Sequence, residues 1–349
     1  MKRLVFAVPG DLATPTGGYA YDRRMIAELI GLGWSVDVAD IGNTFPRPDA
    51  RARADARAQL LAVPKGTAIV VDGLAFGAMP EIAAELAAAH PLVALVHHPL
   101  ALESGIPAEE AAEFHRSERA ALAAADHVIV SSPSVAQRLA ADYAVAADRI
   151  TVACPGSEPR PRARGSSDGT VTLLSVGSIV PRKGYDVLAA ALADVKDLAW
   201  RLTIAGDPTR SPATTTALEA DLRRLDLAGR VALAGAVTDE RLLALYAEAD
   251  LFVLASRYEG YGIAFAEAIA HGLPVIGTTA GAIPDTVPDG TGLLVPPDDP
   301  AALAAALRRL LAGADERRRF AAAAREAAAR LPTWRQSAEI FARAIEAAR

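Results

Sequence analysis

The chain is poor in the residues that build disulfides, metal sites and membrane spans. It has one cysteine, Cys154, among 349 residues, which excludes an intrachain disulfide and a metal site of several thiolates. Its six histidines show no His-x-x-x-His spacing. No run of about 18 apolar residues occurs, and the apolar stretch near the N-terminus breaks at Pro9-Gly10-Asp11, so we expect neither a membrane helix nor a signal peptide. A cytoplasmic location is the resulting expectation.

Positive charge is also scarce. Lysine and arginine number 36 against 42 aspartates and glutamates, a formal net charge of −6. Domains that bind nucleic acid are normally basic, so nucleic acid is not expected as a partner. With 52% hydrophobic and 22% charged residues, the composition is that of a globular protein, which excludes disorder as the main state. The length corresponds to roughly two domains.

Short apolar runs alternate with alanine-rich helical stretches in both halves of the chain. This alternation predicts an α/β fold in which parallel sheets are covered by helices on both faces. The predicted strands cover residues 4–8, 36–38, 68–71, 92–96 and 127–130, then 171–176, 200–204, 231–233, 251–254, 274–277 and 292–295. Residues 154–170, rich in Pro, Gly, Ser and Arg, predict a linker. Two Rossmann-like domains facing one cleft are therefore expected.

The segment after predicted strand 251–254 carries the strongest chemical signal. Glu259 lies in the loop after the strand, and Glu267 lies in the helix that comes next. Gly260 and Gly262 leave backbone N–H groups of the loop accessible to a ligand's oxygens, and the helix N-terminus adds partial positive charge. Two carboxylates beside such a loop suit a polyhydroxylated ligand, because a carboxylate accepts hydrogen bonds from vicinal hydroxyl groups.

Three segments together resemble family 4 of the retaining glycosyltransferases, which have the GT-B fold. They are RYEGYGIAFAEAIAHGLPV at 257–275, VGSIVPRKG at 176–184 and GAIPDTVPDGTGLLV at 281–295. The resemblance implies an N-terminal acceptor domain at 1–160 and a nucleotide-sugar donor domain at 161–332. It also implies that a C-terminal helix at 333–349 packs back on the N-terminal domain.

The resemblance assigns roles to matching residues of the second half. Glu259 would approach the transferred sugar, Glu267 would bind the nucleotide ribose, and Lys183 would contact the donor diphosphate. The other donor-binding residues implied are Ser178, Gly260, Tyr261, Gly262 and Ile263. A loop lysine buries little surface, so we expect removal of Lys183 to change stability only slightly.

The first half matches the family more loosely. Gly17 and Gly18 match a Gly-Gly loop that closes over the same diphosphate, and His97 matches a histidine near the reacting sugar. His98 is adjacent to His97, so either histidine can be aligned with the one of the family. The catalytic residues implied are Glu259, His97, Lys183 and Arg182.

Two positions depart from the family pattern. Ser178 stands where the family commonly has arginine, and Asp285 stands where a glutamate is usual. Arg182 could supply the missing charge from the other side of the loop. Otherwise neutralisation of the diphosphate would depend on Lys183, Ser178, backbone N–H groups and helix dipoles.

The reaction implied is transfer of a hexose, with retention, from a nucleotide diphosphate sugar to an unidentified glycan, lipid or small-molecule acceptor. Uridine diphosphate is the commonest nucleotide in the family. No Asp-x-Asp motif occurs, so Lys183 and Arg182 are expected to replace a metal ion, with no metal site and no cofactor beyond the donor substrate. Arginines at 47, 51, 53 and 57 and at 317–319 are expected on solvated helix faces, and a weak membrane-surface association is left open.

Other classes of function remain as alternatives. One is a nucleotide- or glycan-binding protein on a catalytically decayed GT-B scaffold, which measurable donor turnover would exclude. A dinucleotide oxidoreductase is disfavoured, because no Gly-x-Gly-x-x-Gly follows the first strand, where the chain has PGDLATPTGG. A sugar-nucleotide epimerase of GT-B type would form product without an acceptor.

Overall fold

The computed structural model describes residues 2–348, which form two compact units. The first unit runs to Gly156 and resumes at Pro332, so it includes the C-terminal helix, and the second unit is Ser157–Leu331. Each unit contains one six-stranded sheet. Every strand pairing in the two sheets is parallel. The predicted α/β architecture with two Rossmann-like sheets is therefore confirmed.

The sheet of the first unit has the order β2-β1-β3-β4-β5-β6. Its strands are β1 (Arg3–Val8), β2 (Ser35–Asp40), β3 (Ala68–Asp72), β4 (Leu92–Val96), β5 (His127–Val130) and β6 (Ile150–Val152). All five residues of β4 are apolar and buried, because helices cover both faces of a parallel sheet. The sequence pattern missed β6, which is a three-residue edge strand whose side chains are only half-buried.

The sheet of the second unit has the order β12-β11-β10-β7-β8-β9. Its strands are β7 (Val171–Val176), β8 (Trp200–Ala205), β9 (Val231–Gly235), β10 (Leu251–Val253), β11 (Val275–Thr278) and β12 (Gly292–Val295). All six were predicted from their apolar runs. Its core joins apolar residues of the strands to the helices on either face.

Helices follow the strands in both units. Those of the first unit are α1 (Gly17–Gly31), α2 (Ala50–Leu61), α3 (Gly73–Phe76), α4 (Pro80–Ala87), α5 (Ala108–Ala124), α6 (Pro133–Asp142) and α14 (Trp334–Ala347). Those of the second unit are α7 (Tyr185–Ala193), α8 (Pro212–Arg224), α9 (Asp239–Glu248), α10 (Ile263–Ala270), α11 (Ile283–Thr286), α12 (Pro300–Ala312) and α13 (Ala314–Ala328). None of the helices described within 2–348 is both long and apolar enough to cross a membrane.

The last helix, α14, is a structural part of the first unit. Its N-terminus is capped by Thr333 and Gln336, each of which bonds the backbone N–H of the other. Phe341 is fully buried and stacks on Phe6 of β1, with 6.2 Å between ring centroids. A Cβ at Gly156 would lie 2.2 Å from the backbone nitrogen of Trp334, so only glycine lets the two backbones approach this closely.

We expect Phe341→Ala to destabilise the first unit by about 3–5 kcal/mol, because it removes a buried ring and leaves a cavity. The measurement is urea unfolding compared with Arg343→Ala, which truncates an exposed side chain of the same helix. Equal stabilities of the two variants would mean that α14 contributes little to the core.

Candidate functional site

The candidate site of the second unit lies where its strand order reverses. Strand β7 is flanked by β8 on one side and by β10 on the other. The chain therefore leaves the carboxyl ends of β7 and β10 in different directions. Such a reversal of strand order is called a topological switch point, and open α/β sheets bind their ligands there. The loop after β7 carries Arg182 and Lys183, and the loop after β10 carries Glu259.

Glu259 is the centre of a buried charge cluster. Its side chain is 8% exposed, and its Oε1 accepts hydrogen bonds from Lys183 Nζ and Ser256 Oγ, both at 2.6 Å. Its Oε2 accepts a hydrogen bond from Arg182 Nη1 at 3.1 Å. Burial alone would raise the pKa of Glu259, but the charges of Lys183 and Arg182 outweigh it and lower the pKa to about 2. The carboxylate is therefore ionised at neutral pH.

Backbone contacts bring the three sequence motifs together at Glu259. Gly184 has φ +64°, and a Cβ there would lie 2.0 Å from the carbonyl oxygen of Ala255. Gly281 has φ +56°, and its Cβ would lie 2.3 Å from the carbonyl oxygen of Glu259. The same oxygen accepts a 2.9 Å hydrogen bond from the N–H of Ala282. Two glycines without side chains thus allow the loops after β7, β10 and β11 to close on one carboxylate.

The expected exposure of Lys183 is wrong. Its side chain is only 14% exposed, because Glu259 draws the ammonium group inward. A Cβ at Gly177 would lie 3.0 Å from Lys183 Cε, so the stem of the lysine extends along the loop backbone. Lys183 is therefore a structural partner of Glu259. Removal of Lys183 leaves the buried carboxylate of Glu259 with fewer hydrogen-bond donors.

Arg182 is joined to the same cluster. Besides its bond to Glu259, its Nη1 donates to the carbonyl oxygen of Tyr258 at 2.8 Å, and its own carbonyl accepts from the N–H of Arg257 at 2.8 Å. These contacts fasten the loop after β7 to the loop after β10. Whether Arg182 also compensates for Ser178 at a diphosphate stays a prediction.

The helix after the Glu259 loop begins at a left-handed glycine. Gly262 has φ +95° and caps α10, which starts at Ile263 and has no side-chain cap. Gly260 and Tyr261 are buried beside it, and the carbonyl of Tyr261 accepts a hydrogen bond from the hydroxyl of Thr286. The positive end of α10 is thus at the loop that carries Glu259, where it favours an anionic ligand.

Glu267 lies within α10 and has a hydrogen-bond partner that sequence reasoning missed. Its Oε2 accepts a 3.0 Å hydrogen bond from the hydroxyl of Tyr246 on α9. Burial raises the pKa of Glu267, and the hydrogen bond from Tyr246 and the charge of Arg160 partly oppose this shift. Tyr246 is itself 1% exposed and stacks on His271 at 5.0 Å between centroids. In the sequence Tyr246 has only the pattern of a core aromatic, so nothing there signalled its contact with Glu267.

In the first unit, Gly18 and His97 are neighbours. The sheet reverses its order between β1 and β3, and α1 begins after β1 with Gly17-Gly18, capped by the hydroxyl of Thr16. A Cβ at Gly18 would lie 3.2 Å from His97 Cδ2. His98 instead has its Nε2 3.4 Å from Glu103. Of the two adjacent histidines, His97 is therefore the one that packs on the Gly-Gly turn.

Two buried aspartates face His97, and sequence reasoning missed both. His97 Nε2 is 3.0 Å from Asp22 Oδ1 and 3.3 Å from Asp72 Oδ2. Asp22 is 0% and Asp72 3% exposed. Available signals were the position of Asp72 directly after predicted strand 68–71 and of Asp22 four residues after Gly18.

The arginine-rich stretches are paired within their own units. The ion pairs in and beside α2 are Arg47–Glu110, Arg51–Asp55, Arg53–Glu81 and Arg57–Glu85, and those in α13 are Arg318–Asp315 and Arg319–Glu316. Arg317 donates to the carbonyl of Leu310. These contacts fit the expected helix faces, where exposed pairs contribute little to stability.

Comparison with known families matches each half of the chain. The family model described as glycosyl transferases group 1 matches residues 170–313, which contain Lys183, Glu259 and Glu267. The model described as Glycosyltransferase Family 4 matches residues 43–160, which contain Asp72 and His97. Together they cover most of the chain, but Gly17, Gly18 and Asp22 of the first unit lie outside both matched segments.

Curated relatives resemble only part of the chain. It is 33% identical over 226 residues to D-inositol 3-phosphate glycosyltransferase of Nocardia farcinica, which is 59% of this chain and 49% of that protein. It is 32% identical over 176 residues to mannosylfructose-phosphate synthase of Agrobacterium fabrum, 45% of this chain and 38% of that protein. The chain spans about half the length, or less, of the curated relatives it matches.

Solved structures match over nearly the whole length. Sucrose-phosphate synthase from Thermosynechococcus elongatus has a TM-score of 0.83 at 24% identity, covering 98% of each chain. Anabaena HepE, solved in complex with UDP and glucose, has a TM-score of 0.78 at 18% identity, covering 99% of this chain and 100% of that one. At these identities the likeness shows the fold alone, which is that of GT-B glycosyltransferases.

We expect Lys183→Met to destabilise the protein by about 3 kcal/mol at pH 7, because it breaks a buried ion pair and leaves Glu259 charged. A carboxylate whose pKa is lowered contributes stability above its unfolded pKa and loses it as the pH falls. The loss of unfolding free energy in the variant should therefore be complete above pH 4.5, the ordinary pKa of a glutamate, and should shrink as the pH falls toward about 2.

Urea unfolding across this pH range measures the effect, with Lys65→Met as the control because Lys65 is an exposed lysine of the first unit. A deficit that is the same at every pH, or that is matched by the control variant, would contradict the pairing with Glu259.

Proposed function

This chain belongs to the family 4 glycosyltransferases, and we propose that it transfers a sugar from a nucleotide diphosphate sugar to an acceptor hydroxyl. The observation that carries the proposal is the cluster of Glu259, Lys183 and Arg182 at the switch point beside the N-terminus of α10. The cluster lies wholly inside the segment that matches the glycosyl transferases group 1 model.

The charges of the cluster suit a diphosphate leaving group. Lys183 and Arg182 carry two positive charges and Glu259 one negative charge, so the net charge of these three side chains is +1. The N-terminus of α10 adds partial positive charge at the same loop. Fixed positive charge stabilises the negative charge that develops on a departing diphosphate. We therefore propose a reaction that needs no metal ion and no cofactor beyond the donor.

The hydrogen bonds of Glu259 limit what it can do in the reaction. Oε1 accepts from two donors, whereas Oε2 accepts from Arg182 alone among the contacts described within 2–348. Because a carboxylate oxygen accepts about two hydrogen bonds, Oε2 keeps room for a sugar hydroxyl. A carboxylate with a lowered pKa and three donors is a weak nucleophile, so Glu259 is proposed to orient the sugar rather than to bond to it.

A retaining transfer then proceeds without a covalent enzyme intermediate. The bond from the anomeric carbon to the phosphate oxygen breaks, and a bond from that carbon to the acceptor oxygen forms on the same face. The departing phosphate oxygen takes the proton of the acceptor hydroxyl. The protein contributes by holding both substrates and by stabilising the charge on the diphosphate.

Nucleotide and acceptor are proposed only by class. Uridine diphosphate is the first nucleotide to test, and HepE, of the same fold, was solved with it. The names of the two curated relatives include a phosphorylated inositol and a phosphorylated disaccharide, so phosphorylated polyols and sugars head the panel of acceptors. Thermal-shift measurements with uridine, guanosine and adenosine diphosphates identify the base, because a ligand that binds the native state raises its stability.

One observation favours a second candidate. Ser178 stands where the family commonly has arginine, which weakens the positive charge expected at the diphosphate. A nucleotide- or glycan-binding protein on a decayed scaffold would have this feature too. Binding of a nucleotide diphosphate without turnover of any donor, tested with and without acceptors, would favour this candidate over the transferase.

We expect Lys183→Ala to weaken nucleotide diphosphate binding about ten- to a hundredfold, since a charge-assisted hydrogen bond to phosphate contributes about 1.5–3 kcal/mol. Isothermal titration of the folded variant measures it, and Lys196→Ala, at an exposed lysine of the same unit, is the matched control. An unchanged affinity for Lys183→Ala would place the diphosphate elsewhere.

The two glutamates should differ in their effects. Glu267→Ala should weaken binding of the sugar-free nucleotide diphosphate, because a ribose contact exists in ground and transition states alike. Glu259→Ala should mainly lower turnover, because its partner is the reacting sugar. Isothermal titration and initial rates separate these effects, and the reverse pattern would mean that the two roles are exchanged.

A further inference from the structure

Three side chains from three elements converge in the first unit. Asp22 comes from α1, Asp72 from the end of β3, and His97 from the loop after β4. Both aspartates direct a carboxylate oxygen at the same atom, His97 Nε2, from 3.0 and 3.3 Å. The carboxyl ends of β3 and β4 and the first turns of α1 are next to the switch point of this sheet, where a ligand is expected.

The burial of these groups is unequal. Asp22 and Asp72 are 0% and 3% exposed, whereas the side chain of His97 is 20% exposed. Two carboxylates that are shielded from water need a positively charged partner, because an unpaired buried charge lowers the stability of the fold by roughly 3–5 kcal/mol. The imidazolium form of His97 supplies that charge, and it is the member of this trio that reaches the surface.

Other contacts hold the three side chains in place. Asp72 uses its second oxygen, Oδ1, to accept from the N–H of Leu74 at 2.8 Å, which fixes its carboxylate at the start of α3. The hydroxyl of Ser131 donates to the carbonyl of His97 at 3.0 Å. The ring of Tyr21 meets the ring of His97 edge to face, with 5.2 Å between centroids. The orientation of the imidazole is therefore determined by its surroundings.

We propose that Asp22 and Asp72 are positioning residues that keep His97 as an imidazolium, with Nε2 bound to the carboxylates and Nδ1–H available as a charged donor to a substrate oxygen. This proposal rests on the proposed transferase function for the identity of that substrate. The oxygen would belong to the transferred sugar or to the diphosphate that leaves, both of which accept hydrogen bonds. Gly18, without a side chain, lets the start of α1 approach the Cδ2 edge of the ring closely.

The electrostatics of the pocket agree with this assignment. Burial would lower the pKa of His97, but Asp22 and Asp72 outweigh it and raise the pKa to about 10. Burial raises the pKa of Asp22 to about 7, because the positive charge of His97 opposes the shift only in part and the neighbouring Asp72 adds to it. The ring of Tyr21 also contacts that of His97, and burial and Asp22 raise the pKa of Tyr21 well above the ordinary value. Tyr21 therefore stays neutral and does not compete with His97 for the carboxylates.

The test measures the protonation of His97 directly by NMR of protein labelled with nitrogen-15 histidine. His97→Gln assigns the signal, and the other histidines are internal references. In the unmodified protein, treated with a chelator and without substrate, both ring nitrogens of His97 should stay protonated to pH 8 and above. In Asp22→Asn the midpoint of the titration should fall by at least about one pH unit, and Asp72→Asn should give a smaller fall.

Both variants are isosteric, and if one fails to fold the other gives the same test. A His97 that titrates near its ordinary pKa in the unmodified protein would overturn the proposal. Two carboxylates and an imidazole are also donor types that divalent cations accept. Stoichiometric displacement of the His97 signals by Zn²⁺ or Mn²⁺ alone would likewise overturn it, in favour of a cation site.

Kinetics then connects the residue to turnover. With a donor that is turned over, Asp22→Asn should lose activity toward alkaline pH at a lower midpoint than the unmodified protein, with kcat reduced more than KM is raised. An alkaline limb that does not move in Asp22→Asn would overturn a role for the imidazolium in the reaction. If no donor is turned over, the transferase function fails while the NMR result stands.

Discussion

The second unit depends on the burial of one carboxylate. Glu259 has lost nearly all contact with water, so it needs donors on every side, and Lys183, Arg182 and Ser256 provide them. These donors come from the loop after β7 and from its own loop, so the pair can form only when β7 and β10 are adjacent in the sheet. The cluster thus connects the topology of the sheet to the chemistry of the site.

A buried ion pair of this kind is a poor way to gain stability. Hydrophobic residues of similar volume often stabilise a fold as well or better, because they avoid the cost of removing charges from water. The proposed function offers a better explanation for the cluster. Under that proposal, two cations and a carboxylate are held in fixed positions before the donor binds, so that little reorganisation is needed when charge develops on a departing diphosphate.

The two units use the same topology with opposite charge. Each has a switch point next to its first strand and a glycine-containing turn before a helix. In the second unit two cations surround a carboxylate, and in the first unit two carboxylates surround an imidazole. In both cases the shared partner is held by two oppositely charged groups, which fixes its orientation and protonation. Tyr246 plays a similar orienting part for Glu267 through a single hydroxyl.

Much of the fold could be predicted from the sequence because its signals are local. Buried parallel strands need continuous apolar runs, and eleven strands were recognised in this way. The three-residue β6 was missed, because half-buried side chains give no such run. Gly260 and Gly262 indicated the loop after β10, and Glu259 and Lys183 were found through the motifs around them.

The sequence by itself therefore determined the class of fold, the order of its strands along the chain and the loops that carry the chemistry. Only the tertiary structure decided which side chains meet. Lys183 was expected to bury little surface, but its side chain is only 14% exposed, because it contacts Glu259, which lies 76 residues away in the sequence. Asp22 and Asp72 were not singled out, because what distinguishes them is their contact with His97, which lies 75 residues from Asp22 in the sequence. Burial and pairing of charge depend on contacts between distant segments, and no local pattern records them.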